Sequence, residues 1–178
     1  LRKGPESELG QRVITDYFPL LCPDEKMPDH LWSLGEDAVM IKVDGQVITK
    51  VDVSQKRSLG RLMSIDLNTL EMNIVHFEQH PELEYCSGLW LPHPGEPFGD
   101  GSAISCFSLN GDPRKEKIFH ELECLSPALF LQPGEAYCQV SRTYHLKGDR
   151  KAIETVCKRF FNVTLEALEL FDQQTRGK

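Results

Sequence analysis

Two carboxylates, Glu121 and Glu123, stand two residues apart in the stretch 118–146, IFHELECLSPALFLQPGEAYCQVSRTYHL. In an extended chain, residues at i and i+2 share a face, so both acids point the same way as Phe119 and Leu125. Carboxyl groups side by side and partly withdrawn from water raise the pKa of at least one of them, which suits a general base. A strand whose acids simply face solvent is the ordinary alternative. Three further candidates lie together in residues 90–100. Trp90 offers a ring face to stack on a sugar, His93 sits in a glycine-rich loop, and Asp100 can hydrogen-bond a ligand hydroxyl or merely form a turn. The remaining histidines, His30, His76, His80, His120 and His145, fall in no acid or metal motif, and His120 points away from Glu121 on its strand.

Other chemistries are excluded by spacing. The six cysteines form no CxxC pair and no short Cys/His pattern, so neither a metal site nor a cofactor is expected. Cys106, Cys124 and Cys138 lie in apolar strand patterns, where a free thiol behaves as a small buried hydrophobe. The glycines of residues 95–101 are not spaced to cradle a phosphate, and no serine sits in a GxSxG elbow.

The elements that must hold these residues are mostly strands. Residues 1–35 hold Pro5, Pro19, Pro23 and Pro28, too closely spaced for a long regular element, and predict an irregular wrapping segment. Residues 36–147 predict an antiparallel β-sandwich. Its clearest local signal is Asp44-Gly45, which predicts a type I′ hairpin joining residues 38–43 to 46–53. Residues 61–66 and 71–77 predict a second hairpin across Leu67-Asn68-Thr69, and 85–91 and 102–109 predict two more strands. Within 118–146, strand alternation breaks at Ser126-Pro127, Gln132-Pro-Gly-Glu135 makes a turn, and 136–146 is extended again. Residues 148–174 predict two short helices. Asp149 and Thr164 are their N-caps, Ile153, Val156, Cys157 and Phe160 the first apolar face, and Asn162 a left-handed stop. Residues 173–178 should fray.

The chain has 178 residues and a formal net charge of -7. That acidity argues against nucleic acid and anionic membrane surfaces as partners, and no apolar run approaches the roughly 20 residues of a spanning helix. The composition is compatible with the cytoplasm or the periplasm.

Several of these residues also carry a resemblance. Glu123, Ser126-Pro127, Leu131-Gln-Pro-Gly-Glu135 and Arg142-Thr-Tyr-His-Leu146 resemble the last part of proteins with the galactose-mutarotase-like β-supersandwich, the fold of the aldose 1-epimerases. A closer similarity is to a mainly bacterial, uncharacterised family assigned to that fold. It runs through Lys3-Gly-Pro-Glu-Ser-Glu-Leu-Gly10, Tyr17-Phe18, Trp90, Gly99-Asp100, Phe119-His-Glu-Leu-Glu123, Ser126-Pro-Ala128 and Asn162-Val-Thr-Leu-Glu166. The likeness covers nearly all of this chain and about the second half of a typical member, which implies packing against an upstream half. It implies a carbohydrate partner, with Glu123 as the base that takes a proton from the anomeric hydroxyl and Glu121 beside it, while an acid is supplied from elsewhere. Ile48, Asp52, Ser105, Phe107 and Ser108 depart from the family's usual Arg, Gly, Asn and Tyr. A non-catalytic glycan-binding or structural module is the alternative.

Overall fold

The computed structural model describes residues 1–15, 18, 26–45, 47–86, 101–109 and 119–175. In chain order its elements are helix α1 (Glu6–Leu9), a 3-10 turn (Asp29–Leu31) and strands β1 (Trp32–Leu34), β2 (Val39–Ile41), β3 (Thr49–Ser54), β4 (Arg61–Asp66), β5 (Glu71–Phe77), β6 (Ser102–Leu109), β7 (Phe119–Cys124) and β8 (Ser141–Lys147). Helix α2 (Arg150–Val156), a π-helical turn (Cys157–Phe161) and helix α3 (Leu165–Thr175) follow. The protein is mainly β, an antiparallel sandwich with a short helical part at the C-terminal end.

Alternation of side chains decides how the sheets stack. One sheet has the order β3-β6-β7, the other β4-β5-β8, and all neighbours are antiparallel. Val53, Ile104, Leu122 and Cys124 point inward from the first sheet and meet Leu62, Val75 and Phe77 of the second. The second sheet's other face carries Met72 and Ile74. They are covered by Ile153, Cys157 and Leu165 from the helices. Burying these side chains is worth roughly 2 kcal/mol each, and it is this coverage, more than helix propensity, that holds two such short helices in place.

Local signals act as expected where a few adjacent residues suffice. β4 and β5 pair from Arg61↔His76 to Asp66↔Glu71, and Asp66 Oδ1 accepts from the backbone N–H groups of Asn68 and Thr69 in the turn. Gln132 and Glu135 close their turn around Gly134, which takes a φ of 93°. Asp149 caps α2 by accepting from Ala152 N at 2.8 Å, Thr164 Oγ1 caps α3 by accepting from Ala167 N at 3.0 Å, and Asn162 is left-handed at φ 54°.

Four expectations are corrected. Asp44-Gly45 does not make a hairpin: Gly45 has φ 71° but Asp44 stays out of the left-handed region, so the type I′ pair of angles is not met. β2 pairs with β1 instead, and β3 enters the other sheet beside β6. The π turn adds a residue and rotates the apolar face, so Phe161 packs on the core while Phe160 stays 45% exposed. Residues 136–140 are not strand, and Cys138 is exposed. Finally, α3 runs on to Thr175, which is buried and accepts a hydrogen bond from Lys42 Nζ. The strand expected at 85–91 lies mostly outside the described residues.

The N-terminal segment is fastened to the sandwich by backbone and by one side chain. Ile14 and Asp52 exchange two backbone hydrogen bonds of 2.9 and 3.0 Å along the edge of β3. Arg57, fully buried, donates to the carbonyls of Arg2, Gly4 and Gly10.

Candidate functional site: a polar row across the outer face of one sheet

Register places the two acids. On β7, Glu123 lies opposite Ser105 of β6, and Ser105 lies opposite Asp52 of β3. Directly paired residues share a face, so Glu123, Ser105 and Asp52 form one row across three strands. The next row, one pleat along, is Glu121, Phe107 and Lys50. Both rows point away from the inter-sheet core, because Leu122, Cys106 and Val51 take the inward positions between them.

Burial grades along these rows. Glu121 is exposed and Glu123 half-buried, as befits an edge strand. Ser105 and Asp52 are fully buried, and Lys50 is only 5% exposed. The Ser105 hydroxyl has no hydrogen-bond partner among the described residues. A buried hydroxyl left in that state costs about 1–3 kcal/mol. It and Asp52 are closed off from solvent, and of this row only the half-buried Glu123 on the edge strand is open to an incoming group. Asp52 is engaged in interactions of its own.

The thiol of Cys106 reports on the same spot. Burial pushes its pKa up to about 12, and the negative charges of Asp52 and Glu123 push in the same direction. Both carboxylates thus act on one point of β6. The thiol stays protonated and is no nucleophile at neutral pH.

Sequence reasoning singled out Glu121 and Glu123, which do share a face as strand periodicity requires, but it passed over their neighbours. Asp52 and Ser105 fall in no motif and stand out in the sequence only as departures from a family pattern. In Lys50-Val-Asp-Val-Ser54 the alternation of polar and apolar residues normally marks a strand with one wet face. Here all six residues of β3 are buried, so the polar face is covered as well. Trp90, His93 and Asp100 lie outside the described residues. His120 faces the opposite way from Glu121, opposite Ser108.

A separate cavity of about 380 Å³ lies on the inner side. Val39, Ile41, Val51, Leu62, Leu122 and Phe171 give it mostly apolar walls. Glu123, Ser105 and Asp52 do not border it, whereas Glu121 and His120 do, at the β7 end of its wall. Among the described residues no helix is long and apolar enough to cross a membrane.

By fold the protein is a mainly β antiparallel sandwich, with a carboxylate-flanked hydroxyl on one outer face. Residues 1–171 match the model of a family described as a family of unknown function, DUF6786, and the chain belongs to that family. No curated protein and no solved structure matches it.

Proposed function

We propose that the outer face of the β3-β6-β7 sheet binds a carbohydrate, either a free sugar or the end of a glycan, through Glu123 and the row behind it. The observation that carries this is Ser105: a buried hydroxyl without a partner among the described residues, with a carboxylate on each side. Sugar hydroxyls both donate and accept. Carboxylates take their donated hydrogens and a serine hydroxyl takes either role, so the row matches a polyol better than an apolar ligand.

In the catalytic form of this proposal, Glu123 is the base of an aldose 1-epimerase-like isomerisation within a mutarotase-like supersandwich, and Glu121 is its neighbour. Glu123, half-buried beside Ser105, is the stronger candidate; Glu121 is exposed beside Phe107. Ring opening and reclosure also need an acid across the sugar from the base. Among the described residues no histidine shares the outer face of β3, β6 or β7, so in this form the acid comes from elsewhere; the second form is a glycan-binding module without turnover.

One experiment separates the forms. Anomer interconversion is followed by NMR exchange across a panel of aldoses, with binding to the same sugars measured by calorimetry, for the wild type and Glu123→Gln. Turnover lost in the variant supports catalysis, and binding without turnover in either protein supports the module. No heat from any sugar in the panel overturns the carbohydrate proposal altogether.

A further inference from the structure

The two sheets are staggered. β7, the last strand of its sheet, packs over β4 and β5. β8 continues the other sheet beyond β5, and every residue from 141 to 145 is exposed. One side of the sandwich is therefore a step: β8 forms its tread, and the free edge of β7 its riser. Among the described residues, each of these strands has a neighbour on one edge only. Large apolar side chains on or next to these two strands are exposed, Phe119 at 42%, Val140 at 40% and Tyr144 at 44%. Open strand edges beside exposed apolar surface are where further strands add to a sheet.

Charge selects what would add. β7 (FHELEC) carries Glu121 and Glu123 and no lysine or arginine, and β8 (SRTYHLK) carries Arg142 and Lys147 and no acid. We propose that a second copy of the chain completes the step, related by a two-fold axis parallel to the strands, so that β8 of each copy lies beside β7 of the other. A two-fold axis normal to the sheets would also join edges. It would set acidic β7 against acidic β7 and basic β8 against basic β8, and like charges on adjacent strands repel.

The parallel axis fits in shape as well as charge. The overhanging β8 of one copy fills the recess above β8 of the other, and the outer faces of the joined sheets coincide. Arg142 and Tyr144 alternate with the inward Thr143, which is paired with Val75 of the core, so they lie on the outer face. That is the face of Glu121, Glu123 and Phe119, so the joined strands bring cation to carboxylate and ring to ring. The contact uses the same patch on both copies and closes on itself, giving a dimer and not a filament. None of this depends on the carbohydrate proposal.

The test is oligomeric state by sedimentation velocity on the whole chain and two charge variants, Arg142→Glu and Glu121→Lys/Glu123→Lys. The wild type is expected to be a dimer and each variant alone a monomer. An equimolar mixture of the two variants should recover the dimer, because acidic β8 then meets basic β7 on one joint and wild-type charges meet on the other. Recovery on mixing also shows that neither variant has unfolded. A wild type that stays monomeric at its highest soluble concentration overturns the proposal and leaves the step to a different polypeptide segment. Variants that dimerise as the wild type does, or a mixture that remains monomeric, overturn the β7–β8 pairing.

Discussion

Glu123 and Asp52 stand at the two ends of one cross-strand row with Ser105 between them. Adjacent strands lie about 4.8 Å apart, so the carboxylate-bearing positions are separated by roughly 10 Å across a single buried hydroxyl. Stability and binding pull in opposite directions at such a place.

Ser105→Ala should show that opposition. Removing a buried hydroxyl that has no partner among the described residues is expected to raise stability by about 1 kcal/mol in urea denaturation, while weakening affinity for any sugar that the row binds. A variant less stable than the wild type would mean that the hydroxyl is already paired.

Arg57 is the fastening of the N-terminal segment. Its guanidinium donates to the carbonyls of Arg2, Gly4 and Gly10 from a fully buried position. Arg57→Ala leaves these carbonyls without their donor and should cost about 3 kcal/mol, with limited proteolysis now cutting within residues 1–15. Arg57→Lys should restore little, because a single ammonium cannot reproduce the planar fork.

Acid should loosen the C-terminal helices in a definite direction. The Lys158 ammonium, 2.7 Å from Glu154, and the Leu165 N–H hold the Glu154 carboxyl below its ordinary value of 4.5. Arg150 does the same for Glu169 through a two-pronged contact. Both acids bind a proton less readily folded than unfolded. Their contribution is thus fully present above pH 4.5 and is lost as pH falls through the lower folded values. Helical circular dichroism should decline over that window, and Glu154→Gln should make the decline shallower.

Thiol reactivity should divide by position. Cys86 and Cys138 are exposed, whereas burial raises Cys106 to about 12 and Cys157 to about 11. At pH 8 an aromatic disulfide reagent is expected to label Cys86 and Cys138 promptly, and Cys106 and Cys157 only after unfolding, as read by mass spectrometry of the labelled peptides.

Much of this fold is legible in short stretches. The β4–β5 hairpin, the turn at Gly134 and the capping by Asp149, Thr164 and Asn162 each rest on a handful of neighbouring residues. Asp44-Gly45 is the counterexample. Its dipeptide carries a hairpin signal as strong as any in the chain, yet β2 has β1 to pair with and β3 has β6, so sheet pairing overrode a local preference.

The candidate site divides in the same way. Period-two alternation alone determines that Glu121 and Glu123 share a face, because a strand turns successive side chains to opposite sides wherever it lies. Tertiary structure decides what that face contains. Asp52 and Ser105 lie 71 and 18 positions before Glu123 in the sequence, and only antiparallel pairing of β3, β6 and β7 sets them in line with it. Whether such a face is wet or covered depends on distant segments packing over it, and no periodicity within a strand encodes that.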